Sequence, residues 1–194
     1  MNSISVKDFL LRATACVKAS NSVMPQTGGA VLPEADLPVL KDLGNGLCVV
    51  YLVDTDDSLL YVQNHHLAGS NLTPEGLHEL GLHNLAERVS DKTRMQQHGA
   101  VYGLFADGLF EASLILLDNL WDETLAHLAP NGFIAALPSR DVLAVCDAAS
   151  GQGIESLNSL AKRVFEGGDH VLAPVLYRRQ NGRWLPLEHS PAAP

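Results

Sequence analysis

Apolar side chains return at close to a 3.6-residue interval near the start of the chain, at Ile4, Val6, Phe9, Leu10, Ala13, Cys16 and Val17. This predicts a helix over 4–19, capped by Ser3 or Ser5. The next segment, 20–33 (SNSVMPQTGGAVLP), is rich in Ser, Gly and Pro and predicts a loop. From Leu37 onward the pattern changes to strands. Residues 39–43 and 47–53 flank Gly44-Asn45-Gly46, which tolerates positive φ and predicts a hairpin; 59–62 follows as a third strand. Thr73-Pro74-Glu75 opens a helix over 74–89, with Thr73 as N-cap and Leu77, Leu80, Leu85 and Val89 as its apolar stripe.

In the second half, a strand over 100–106 precedes an Asp107-Gly108 turn. Residues 110–117 (FEASLILL) fit a buried strand or a buried helical segment equally, and 118–128 reads as a short helix ended by Pro130-Asn131-Gly132. Strands over 133–137 and 142–146 flank Pro138-Ser139-Arg140-Asp141, and a helix over 154–165 stops at Gly167-Gly168. Strands over 171–177 and 183–187 pair around Gln180-Asn181-Gly182. Hairpins and helices mix without a steady βαβ alternation. The predicted fold class is therefore α+β, a mainly antiparallel sheet of at least five strands with the 74–89 and 154–165 helices packed on it. The organisation that follows is an N-terminal helix and loop over 1–33, one α+β domain over 34–188 and a disordered tail over 189–194.

Composition narrows the class. With 194 residues, 46% of them hydrophobic, the chain is long and apolar enough to bury a core and is not intrinsically disordered. Against 22 Asp and Glu stand 13 Lys and Arg, a formal charge of −9, which disfavours nucleic acid and anionic membrane surfaces as partners. Lys7, Asp8 and Arg12 interrupt any apolar run that could serve as a secretory signal, and no segment is long enough to span a membrane. Cys16, Cys48 and Cys146 are odd in number, far apart and set among apolar or small neighbours. They read as buried free thiols in a reducing, cytoplasmic setting.

The motifs that carry chemistry are incomplete. His78 and His83 stand at i and i+5, about 140° apart on a helix, whereas a zinc-protease helix needs i and i+4. His65 and His66 are adjacent and point apart on either periodicity. Asp54-Thr55-Asp56-Asp57 opens like a calcium loop, but Leu59 and His65 stand where Gly and Glu are required. Gly151-Gln152-Gly153 lacks the third glycine of a dinucleotide turn. Ser159 and Lys162 match S-x-x-K without its companion motifs. No cofactor or metal is expected from these residues.

Two features remain. Arg140 is the only Lys or Arg between Arg94 and Lys162. It is either half of an exposed Arg140–Asp141 turn pair or a guanidinium fork for an anionic group or a buried carboxylate, with Glu111 as the natural candidate. Acidic segments free of Lys and Arg lie between Lys41 and Arg88, with Asp42, Asp54, Asp56, Asp57, Glu75, Glu79 and Glu87. A second lies between Arg94 and Arg140, with Asp107, Glu111, Asp118, Asp122 and Glu123. These project a negative field unless the fold brings the late arginines, Arg178, Arg179 and Arg183, across to them. Trp121, inside the second segment, is either an exposed anchor for a cationic partner or a core residue.

Three segments, 81–89 (GLHNLAERV), 108–122 (GLFEASLILLDNLWD) and 136–147 (ALPSRDVLAVCD), occur in this order. Together they resemble the YtpQ-like family of bacterial cytoplasmic proteins, a domain of unknown function, over 37–187. The resemblance implies a cytoplasmic compartment and singles out Asn84, Glu111, Ser113, Ser139, Arg140 and Asp141, while 1–33 shows no match. It implies no activity.

The functional expectation is a non-catalytic, acidic interaction protein, of adaptor or immunity type, for a basic protein or cationic ligand. Its binding residues would come from the family-matched polar positions and from Asp54, Asp56, Asp57, Asp118, Trp121, Asp122 and Glu123. The alternative is a small hydrolase or transferase with a metal-assisted or carboxylate-based site near Arg140, Glu111 and Asp118.

Overall fold

The computed structural model describes residues 5–23, 32–55 and 58–187, which form an α+β fold with two antiparallel sheets. The chain divides into two compact units, 1–92 and 93–194, where the sequence pattern suggested one body over 34–188. The physical reason is that each half closes its own strand ladder. No named strand of one half pairs with a strand of the other among the described residues. The 189–194 tail, most of the expected loop (24–31), and Asp56 and Asp57 lie outside the described residues.

Unit 1 opens with α1 (Val6–Leu11), whose Ser5 side chain accepts the Asp8 N–H as N-cap. The chain then extends into β1 (Thr14–Ala19), so the expected helix over 4–19 gives way to a strand halfway. Local periodicity favoured a helix there. The antiparallel pairing of Thr14 to Ala19 with Leu52 to Leu47 gives six residues in register along β3 instead. β3 (Leu47–Asp54) is the middle of this sheet. β1 flanks it, and β2 (Leu40–Asp42) and β4 (Leu59–Tyr61) also pair with it. Seven of its eight residues are buried, as a near-continuous apolar run requires. The β2–β3 hairpin turns through Gly44 at φ 67° and Gly46 at φ 84°, conformations that glycine adopts without strain.

A short α2 (Asn64–Ala68), not expected from the sequence, leads to α3 (Pro74–Val89). Thr73 Oγ1 accepts the Gly76 N–H at 3.1 Å and caps α3. Leu77, Gly81, Leu85 and Val89 form its buried row, packed on β1. Full burial of a leucine such as Leu77 or Leu85 stabilises the fold by about 1.5–3 kcal/mol. Gly81 permits the close approach, since a Cβ there would lie 3.0 Å from the Tyr51 ring and 3.2 Å from the Ala15 nitrogen.

Unit 2 contains β5 (Arg94–His98), β6 (Val101–Phe105), β7 (Phe133–Ser139), β8 (Val142–Asp147), α4 (Gly151–Gly167), β9 (Leu176–Gln180) and β10 (Arg183–Pro186). Its six strands run in the order β10-β9-β7-β8-β6-β5. β5 was not expected, because RMQQH shows neither apolar alternation nor a continuous apolar run; all five residues are exposed at the sheet edge. β7 lies inside the sheet, wholly buried, and its register slips between Ala136 and Ser139 around Pro138, which has no N–H to donate. Leu157 and Ala161 of α4 pack on Ile134, Ala136, Ala144 and Cys146, and Gly153 lies close against Cys146. The ambiguous 110–117 segment is a tight 3₁₀ turn over Ala112–Leu116. The expected helix over 118–128 is instead a wide π-type turn, Leu120–Thr124, followed by a 3₁₀ turn, Ala126–Leu128. The two expected helices thus lie on two different sheets, not on one.

Candidate functional site

The polar residues that the expected resemblance singled out hold local structure together. The Asn84 side-chain amide donates to the carbonyls of Leu11 at 3.0 Å and Ala13 at 2.8 Å, tying α3 to the α1–β1 corner. Glu111 is buried, and its Oε1 accepts the N–H groups of Ala106 at 2.9 Å and Gly108 at 2.7 Å. The expected Glu111–Arg140 pair does not form. Two backbone amides of the preceding turn meet the carboxylate because the chain reverses at Gly108, φ 79°. Ser113 is buried within the 3₁₀ turn. Ser139 is buried and donates to Asp141 at 2.7 Å across the β7–β8 turn. Arg140 serves that turn through its backbone, accepting from Ala112 at 3.0 Å and donating to the His170 carbonyl at 3.2 Å.

The acidic residues fare differently. Asp54 ends β3, and its carboxylate accepts from Arg88 at 3.0 Å while its carbonyl accepts from Arg12. Asp118 and Asp122 share Arg179. Its Nε and Nη2 reach Asp122 at 2.8 and 2.6 Å, and Nη2 reaches Asp118 at 2.9 Å. Arg179 is 6% exposed at its side chain, and its guanidinium carbon sits 5.6 Å from the Trp184 ring centroid. These hydrogen bonds hold the Asp122 carboxyl below its ordinary range. Of the late arginines, Arg179 is brought across to the second acidic segment, while Arg178 and Arg183 stay exposed. The residue missed by sequence reasoning is Arg179 itself, visible there only as one of several late basic residues. Glu123 is exposed.

Trp121 is not an exposed anchor. It is 1% exposed, donates to the Leu114 carbonyl at 2.8 Å, and packs edge-on against Phe133 and Trp184, each at 5.2 Å. Apolar area of that size is worth more in the core than at the surface. His65 and His66 also depart from expectation, since their rings stack at 4.1 Å in the first turn of α2. His66 Nδ1 accepts the Gln63 N–H at 2.9 Å, which turns the ring back toward its neighbour.

Among the described residues no three His, Cys, Asp or Glu side chains converge to hold a metal ion. None of their helices is long and apolar enough to cross a membrane. Cys16, Cys48 and Cys146 are buried and outside any disulfide. Burial pushes the Cys146 thiol up to about 11, with the Asp147 charge adding to it, so it is a poor nucleophile at neutral pH.

One set of acidic residues outside the ion pairs seen among the described residues is a row on α3. Glu75, Glu79, His83 and Glu87 recur at four-residue spacing, all exposed, about 200° around the helix from the buried Leu77–Gly81–Leu85–Val89 row. Among the described residues none of the three glutamates forms a salt bridge. A second feature of unit 1 is a pocket of about 450 Å³ lined by residues of α1, the 69–72 segment and α3.

No protein-family model matches the chain, and neither does any curated protein or solved structure.

Proposed function

We propose that the chain is a non-catalytic interaction protein of the cytoplasm whose partner is basic, and that the exposed glutamate row of α3 is its contact. The observation supporting this reading is the solvent-facing series Glu75, Glu79 and Glu87, set on a helix whose opposite side is anchored in a core. Carboxylates that spend no charge on internal pairs remain available to steer and hold a cationic surface. Unit 1 carries six Lys and Arg against eleven Asp and Glu, so the field around that helix is not reversed by its own unit. The YtpQ-like resemblance belongs to the same proposal, as does the cytoplasmic setting, which three buried cysteines outside any disulfide favour.

The test is affinity capture from the native host at low and high ionic strength, with wild type beside the triple variant Glu75→Gln, Glu79→Gln, Glu87→Gln. A basic protein retained at low salt, released at high salt and lost by the variant supports the reading. Retention that ignores both changes rejects it.

A further inference from the structure

We propose that unit 1 also holds a binding site for a small anionic amphiphile, a carboxylate bearing an apolar tail. The site is the pocket between α1, the 69–72 segment and α3. It is independent of the α3 glutamate row, none of whose residues lines it.

The walls are built by short-range structure. Ser70 N–H and Oγ both donate to the Leu67 carbonyl, at 2.9 and 3.0 Å, and Leu72 N–H donates back to Ser70 Oγ at 3.1 Å. That closed turn presents Leu72 just before the Thr73 cap. Leu72 fits over the first turn of α3 because position 76 is glycine; a Cβ there would come within 3.1 Å of Leu72 Cδ1. The opposite wall is α1, with Leu10 buried and Leu11 52% exposed at the mouth. Leu80 of α3 completes the apolar lining.

The volume, about 450 Å³, falls in the range of small-ligand sites, about 300–1,000 Å³. The polar groups on its wall are of one kind. Among the described residues Lys7 is the only charged side chain lining the pocket, and neither its ammonium nor the Asn71 amide has a hydrogen-bond partner there. Ser70 is already spent on the turn. Asp8, the neighbouring carboxylate on α1, is turned to the helix cap, where Ser5 Oγ donates to it at 2.7 Å. An apolar cleft with an unengaged ammonium and an amide at its edge is complementary to a carboxylate with a hydrocarbon tail. With no carboxylate among the described residues of its lining, it favours an anion over a basic side chain.

Titration with octanoate and, separately, octan-1-ol, followed by methyl NMR, tests this. Octanoate should shift the methyl signals of Leu10, Leu72 and Leu80 saturably. Lys7→Glu should weaken octanoate at least tenfold while changing octan-1-ol less than twofold, and Leu11→Asp should weaken both at least tenfold. Lys7 and Leu11 are exposed, so both variants should keep the wild-type melting temperature. Three results would overturn the proposal: no saturable shift of those methyls, equal octanoate affinity in wild type and both variants, or a dimer that Leu11→Asp converts to monomer while octanoate leaves the protein unchanged. The last would mean that a second copy fills the pocket.

Discussion

Arg179 grips Asp122 side-on, its Nε and Nη2 donating to the two carboxylate oxygens at 2.8 and 2.6 Å across fifty-seven residues of chain. Planar, bidentate geometry of this kind is what a guanidinium supplies and an ammonium does not. Arg179→Lys should therefore lower stability by about 1–3 kcal/mol in urea unfolding, although the charge is kept. Asp118→Asn, which keeps an acceptor for Arg179 and removes the charge of an exposed carboxylate, should cost no more than about 1 kcal/mol. Equal effects of the two substitutions would contradict this ordering. The Asp122 carboxyl is held below its ordinary value, so its contribution is complete above that value and is lost as pH falls through the lowered one. Asp122→Asn should flatten that acid limb.

Glu111 separates charge from hydrogen bonding. Its Oε1 accepts two amides, while Oε2 is buried with no partner among the described residues. Glu111→Gln keeps an acceptor for both amides and removes the buried charge, so its unfolding free energy should equal or exceed wild type. Glu111→Ala strands both amides and should cost at least about 1–3 kcal/mol. Chemical denaturation of the two variants distinguishes them, and a loss for Gln as large as that for Ala would refute the capping role.

Two glycines in the first turn of α4 should respond with opposite sign. A Cβ at Gly153 would lie 2.7 Å from the Cys146 Cβ, so Gly153→Ala pushes the helix off β8, at a cost of about 1–3 kcal/mol. A Cβ at Gly151 meets nothing within 4 Å. Gly151→Ala should stabilise by about 0.4–1 kcal/mol by restricting the unfolded chain. Melting temperatures that move in the same direction would show that the approach of α4 to β8 is not tight.

His66 and His78 tie unit 1 to pH. Burial lowers both imidazoles below the ordinary value of 6.5, with His65 reinforcing the effect on His66 and Lys41 on His78. His66 must also lose the Gln63 N–H bond to accept a proton at Nδ1, and Tyr51 Oη lies 3.1 Å from His78 Nδ1. Because the folded-state values lie below the unfolded ones, this stabilisation is complete above about pH 6.5 and is lost as pH falls through the lowered values. The urea midpoint should drop between pH 7.5 and 5, and the double variant His66→Gln, His78→Gln should drop less. Identical pH slopes would assign the loss to other groups.

Features decided by a few consecutive residues were legible in the chain. The Gly44-Asn45-Gly46 and Asn181-Gly182 turns depend on positive φ, at 67° for Gly44, 50° for Asn181 and 73° for Gly182. The Thr73 cap needs only an N–H three residues ahead. Such interactions compete with little else, so the α+β class and most hairpins followed from them. Tertiary structure decided what depends on distant partners. Thr14–Ala19 carries a helical period but becomes a strand because β3 offers a complete ladder in register. Arg94–His98 becomes a strand with no apolar signal of its own, because β6 pairs with it. The candidate site divides the same way. A residue's charge is written in the sequence, but whether that charge is spent is not. Asp118 and Asp122 share one arginine sixty-one and fifty-seven residues away, while the α3 glutamates form no salt bridge among the described residues. Only the packed backbone sets which carboxylate a guanidinium reaches, since hydrogen bonds require partners within about 3 Å.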